Sequence, residues 1–130
     1  MWRGALPLLL VALPALAGGP KPTRIRWSFE NIVEGYDHLH KMVIAGDGAT
    51  LATSEPTNES VPGSLELMLP AGAQTLRIVS MAQWEGNWDE HTIANDYSVD
   101  CLWELDVSDR PPKKIDLVCD IEEGATVRMR

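Results

Sequence analysis

Between Thr23 and Met129, apolar side chains recur at every second position in short runs, and glycines, prolines and polar clusters separate most of these runs. Alternation of this kind puts the apolar residues on one face of a β-strand, whereas an amphipathic helix needs them three and four apart. Thr23 to Phe29 sets Ile25, Trp27 and Phe29 against Arg24, Arg26 and Ser28. His40 to Ile44 and Ala49 to Thr53 flank Gly46-Asp47-Gly48, a hairpin signal because Asp-Gly tolerates positive φ. Ser64 to Leu69 buries Leu65, Leu67 and Leu69. Gln74 to Trp84 is apolar on both faces, with Leu76, Ile78, Ala82 and Trp84 on one and Val79 and Met81 on the other, which predicts a central strand. Tyr97 to Val107, Lys114 to Ile121 and Ala125 to Met129 complete the set. About 7 to 8 short strands with Gly and Pro turns predict an all-β, antiparallel β-sandwich of immunoglobulin-like or transthyretin-like architecture. Only Glu30 to His38 hints at a helical turn.

The first residues do not fit this pattern. Met1-Trp2-Arg3-Gly4 carries one positive charge, Ala5 to Leu16 is apolar, and Ala15-Leu16-Ala17 reads as small-x-small. This is the form of a secretory signal peptide, so residues 1–17 are expected to be removed, 18–22 to be a flexible lead, and 23–130 to be one β-sandwich domain. The apolar run is shorter than the roughly 20 residues that cross a bilayer, so membrane insertion is not expected and a secreted or periplasmic location is.

That compartment is oxidising, and the chain has two cysteines, Cys101 and Cys119. If Asp109-Arg110-Pro111-Pro112 folds the flanking strands into a hairpin about Arg110, Cys101 faces Cys119, Trp103 faces Leu117 and Leu105 faces Ile115. A disulfide within a hairpin is therefore expected, and a bond between two sheets, as in immunoglobulins, is not. The spacing also lacks the Cys-x-x-Cys pattern of redox and zinc sites.

The formal charge is −8, with 11 Lys plus Arg against 19 Asp plus Glu, which argues against nucleic acid and anionic membranes as partners. Much of the acid lies in the polar connection from Trp84 to Asp100, which also holds Trp88, His91 and Tyr97. Long connections on rigid sheets often carry function. Trp88 and Tyr97 would stack on a sugar ring or grip a peptide, while Glu85, Asn87, Asp89, Glu90 and Asn95 supply hydrogen bonds and Trp84 stands at the edge of the same candidate site, so a carbohydrate, peptide or protein partner is expected there. The plainer reading makes Trp84 core, has Asp89, Asn95 and Asp96 shape the loop, and leaves a purely structural module.

A second pattern is Asp37-His38-Leu39-His40. In a strand His38 and His40 share a face about 7 Å apart, and His91 is the third histidine. Brought together, with Asp37 or Glu90 as an oxygen ligand, the three would bind zinc or copper. No cofactor is otherwise expected. The chain lacks a Gly-x-Ser-x-Gly nucleophile turn, a phosphate-cradling glycine loop and a calcium-loop pattern, so the expected activity is binding rather than catalysis. Asn58-Glu59-Ser60 matches the N-glycosylation acceptor pattern, whose meaning depends on the source of the chain.

Overall fold

A computed structural model of the chain describes residues 21–130, so the expected signal peptide and the start of the flexible lead lie outside the described residues. Among the described residues ten strands form two sheets. In chain order they are β1 (Thr23–Glu30), β2 (Leu39–Gly46), β3 (Ala49–Thr53), β4 (Thr57–Asn58), β5 (Gly63–Leu67), β6 (Gln74–Trp84), β7 (Asn87–Glu90), β8 (Leu102–Val107), β9 (Lys114–Asp120) and β10 (Gly124–Met129). The first sheet has the order β10-β9-β1-β5. The second runs β3-β2-β6-β7, with β4 also on β2 and β8 also on β6. This nearly all-β, two-sheet arrangement is consistent with a β-sandwich.

Alternation decides which side chains meet between the sheets. Ile25 and Trp27 of β1, with Ile115, Leu117 and Cys119 of β9, are buried from the first sheet. Met42, Ile44, Leu76, Ile78, Trp103, Leu105 and Val107 are buried from the second, and all belong to one apolar cluster. The predicted central strand is β6, which pairs with β2 along one edge and with β8 and β7, end to end, along the other. Val79 on its second face is buried as well. The Asp47-Gly48 turn has φ of 49° and 84°, as the hairpin signal requires.

Four features depart from the sequence reading. Pairing is mostly antiparallel, but β1 and β9 run parallel, from Arg24 opposite Lys114 to Glu30 opposite Asp120. The short strands β4 and β7 appear where loops were expected, and Glu85-Gly86, with φ of 51° and 85°, closes a tight β6–β7 hairpin. The strand expected from Tyr97 begins at Leu102, because Tyr97 and Asp100 are engaged in the preceding loop: the Tyr97 amide donates to the Thr92 carbonyl and the Ile93 amide to Asp100 Oδ1. The 30–38 segment contains no helical turn, and among the described residues the one 3-10 turn is Ile93–Asn95.

The cysteine pair also needs a correction. Cys101 and Cys119 form a disulfide with a Cα–Cα distance of 5.5 Å, but β8 and β9 are not hairpin partners. β8 pairs with β6 in the second sheet and β9 with β1 and β10 in the first, so the bond joins the two sheets through the core. Trp103 bridges the same gap, its indole N–H donating to the Thr126 carbonyl at 2.8 Å.

On the outer face of the first sheet Asp116 accepts from Arg26 at 2.7 Å and also pairs with Arg130. The Arg26 hydrogen bond, helped by Arg130, holds the Asp116 carboxyl down at about 2 against an ordinary 3.8.

Two predictions follow from these contacts. Replacing both cysteines with alanine should lower the unfolding free energy by about 3 kcal/mol in chemical denaturation, the entropy of a loop of this length. A folded pKa below the unfolded one stabilises above about pH 4 and loses that contribution as the pH falls toward 2. Asp116→Asn should therefore melt below wild type at neutral pH, by about 1 kcal/mol at most for so exposed a network, with the gap closing in melts taken toward pH 2.

Candidate functional site

The short strands β4 and β7 lie at the same end of the second sheet, since β4 pairs with the start of β2 and β7 with the end of β6. The pairing of β4 zips two loop segments together. Glu59 N–H donates to the His38 carbonyl at 2.9 Å, Asn58 Nδ2 to the Asp37 carbonyl at 3.1 Å, and the Ser60 amide and hydroxyl to the Asp37 carboxylate at 3.0 and 2.5 Å. Burial pushes the Asp37 carboxyl up, but those Ser60 hydrogen bonds outweigh it and hold the group below its ordinary range. The result is His38 beside Glu59. Just beyond, the ring of Trp27 lies across the opposing Gly63, where a Cβ would come within 2.6 Å of the indole, which locks the chain as it leaves Glu59 for β5.

His91 arrives from the other side. Its amide donates to the Ser80 carbonyl at 2.8 Å, and its carbonyl accepts from Cys101 N–H at 2.8 Å, while Ser80 N–H donates to the Cys101 carbonyl at 3.0 Å. The disulfide therefore anchors the backbone on which His91 sits.

Glu59 lies between the two histidines. Its Oε1 is 3.3 Å from His38 Nδ1 and its Oε2 is 2.8 Å from His91 Nδ1, with Glu59 only 1% and His91 only 2% exposed. One nitrogen from each ring and a carboxylate oxygen all fall within 4.8 Å of one another. Aromatic rings surround the group. Tyr97 stacks on His91 at 4.2 Å between centroids, and Tyr97, Trp84 and Tyr36 stand 5.4, 5.8 and 6.3 Å from the His38 ring. Burial, with the Glu59 and Asp89 charges nearby, raises the Tyr97 phenol above its ordinary value.

Above the group opens a cavity of about 570 Å³. Its walls include Tyr36, Trp84, Asp89, Asn95, Asp96 and Tyr97, its apolar side is Ile32, Val33 and Ile121, and His38, Glu59 and His91 also line it. Tyr36 and Trp84 are parallel to within 10° and each is about half exposed. No Lys or Arg is among the lining residues, which carry the carboxylates of Glu59, Asp89 and Asp96.

Of the residues singled out in the sequence, Trp84, Asp89, Asn95, Tyr97, His38 and His91 meet at this cavity. Asn95 also shapes the loop, donating from Nδ2 to the Glu90 carbonyl at 2.8 Å. Glu85 lies in the exposed hairpin turn and Asn87 just after it, both outside the lining. Strand alternation sends Trp88 and Glu90 to the opposite face of β7. There Lys41 Nζ lies 4.5 Å from the Trp88 ring and Arg77 grips Glu90 with two 2.8 Å hydrogen bonds, holding the Glu90 carboxyl below its ordinary value.

His40 is placed in the core, with Nδ1 2.9 Å from Ser80 Oγ, its ring edge-on to Phe29 and its other nitrogen without a partner. Burial brings it down to about 4, so it is neutral at ordinary pH. The oxygen beside His38 and His91 comes from Glu59, not from Asp37 or Glu90. Glu59 and Tyr36 were not singled out in the sequence; the only local signal for Glu59 was its place inside the Asn58-Glu59-Ser60 triplet.

Comparison of the chain with protein-family models, curated proteins and solved structures returns no match. Among the described residues no helix is long and apolar enough to cross a membrane.

A buried carboxylate flanked by two imidazoles is costly to disturb, because removing it leaves two polar rings unpaired. Glu59→Ala should lower the unfolding free energy by about 3 to 5 kcal/mol and Glu59→Gln by less, measured by chemical denaturation.

Proposed function

We propose that the chain is a non-catalytic binding module of an oxidising compartment, secreted or periplasmic, built on an immunoglobulin-like or transthyretin-like sandwich. It takes a carbohydrate or a peptide side chain into the cavity under the 84–100 connection. The observation that carries this reading is the pair of half-exposed, nearly parallel rings of Tyr36 and Trp84 at the mouth of an acid-lined cavity. Exposed aromatic faces beside a few fixed polar groups suit ligands that stack and donate directed hydrogen bonds. Asp89 and Asn95 supply the polar groups, and Tyr97 extends the aromatic wall. With three carboxylates and no Lys or Arg in the lining, the cavity selects against anions and favours neutral sugars and basic side chains. The disulfide fits a protein that works outside the cytoplasm.

The test is binding of the labelled protein to arrays of neutral glycans and of basic peptides. A specific hit is expected, weakened at least about 10-fold by Trp84→Ala and by Tyr36→Ala, with melting within a few degrees of wild type because both rings are half exposed. Hits on neither array, or hits indifferent to both substitutions, would remove the recognition reading.

A further inference from the structure

We infer that His38, Glu59 and His91 bind one divalent transition-metal ion, zinc or copper, on the floor of the cavity. The inference goes beyond recognition of an organic ligand and stands on different residues from the aromatic walls.

The donor set comes first. Two imidazoles and a carboxylate form a nitrogen-rich, borderline set that suits zinc and copper(II), whereas calcium and magnesium prefer oxygens alone. Geometry agrees with the chemistry. A tetrahedral ion with ligand bonds of about 2.0 to 2.2 Å sets its ligand atoms roughly 3.3 to 3.6 Å apart. The donors here stand 2.8 and 3.3 Å from the carboxylate oxygens, and the whole set falls within 4.8 Å, so modest side-chain rotation closes it round an ion.

Construction is the third argument. The three residues come from separate stretches of chain, yet each backbone is fixed by hydrogen bonds: Glu59 to His38 through their own amide and carbonyl, and His91 between Ser80 and Cys101. A site whose donors are held before the ion arrives loses little entropy on binding. Glu59 and His91 are nearly closed to water, at 1% and 2% exposed, but with His38 they line an open cavity, which gives an ion an entry path and leaves room for a fourth ligand. A dication would also neutralise the Glu59 charge that the fold places out of water.

His40 stays outside the donor set and binds Ser80 instead. This separates the inference from a simple His-x-His grip.

The experiment uses metal-stripped chain dialysed against zinc, and separately copper(II), with bound metal measured by elemental analysis. One ion per chain is expected, retained against an excess of calcium. His38→Ala and His91→Ala should each weaken uptake at least about 10-fold, and electron paramagnetic resonance of the copper form should show nitrogen coupling from two imidazoles, reduced to one in His38→Ala. Thermal melts of both variants establish that they fold. If His91→Ala does not, His38→Ala and the nitrogen coupling decide the matter, because His38 sits at the cavity wall. Absence of saturable uptake by wild type, or uptake unchanged in His38→Ala, overturns the inference. Wild type that takes no metal but still binds a glycan or peptide from the arrays loses this site and keeps the recognition reading, and metal uptake without an array ligand does the reverse.

Discussion

The Cys101–Cys119 bond holds the two sheets in the relation on which the remaining architecture depends. Pairing within a sheet is satisfied by backbone hydrogen bonds, but nothing in those ladders specifies how one sheet lies over the other; only packing between their inner faces does. The covalent link at 0% exposure, reinforced by the indole hydrogen bond from Trp103 to the strand beyond, fixes that relation. The same cysteine continues outward through its own amide and carbonyl to Ser80 and His91. One side chain thus ties the first sheet to the second, and its backbone ties the second to the cavity floor.

From that anchor, the chemistry of the cavity follows by exclusion. Core positions along β2 and β6 are apolar until the end of the sheet, where His40, Ser80 and finally His38, Glu59 and His91 replace them. Polar groups placed so deep must satisfy one another, and the hydrogen bonds among them do so for all but the second ring nitrogen of His40. The aromatic rings above shield this polar end from bulk water while leaving their own faces open. An apolar core, a polar floor and an aromatic rim occur in sequence along one axis of the molecule.

Much of the strand pattern was legible because alternation is a local signal: Ile25, Trp27, Leu76, Ile78, Trp103, Leu105, Ile115 and Leu117 all point inward as read. The pairing of Cys101 with Cys119 was legible too, but its setting was not. Hairpin neighbours and strands facing one another across a core both bring inward residues together, so the match of Trp103 and Leu105 with Leu117 and Ile115 served either arrangement equally well. Only the long-range ladders decide between them, and the parallel β1–β9 pairing is of that kind. β4, with two residues, and β7, with four, are too short for alternation to show. Glu59 was illegible for a different reason. A carboxylate in a polar loop reads as solvated, and its burial depends on two histidines that arrive from remote parts of the chain.

The second sheet uses its two outer edges twice, with β3 and β4 end to end along β2 and β7 and β8 end to end along β6. Each edge therefore has a seam where the chain leaves and returns without disturbing the ladder on either side. Residues 91–101 occupy the seam on β6, and they carry His91, Asn95 and Tyr97. Apart from His91 and Cys101, whose backbones bond to Ser80 and to each other, this stretch answers to the cavity more than to the sheet. Its length and side chains therefore set the shape of the cavity without altering the strands on either side.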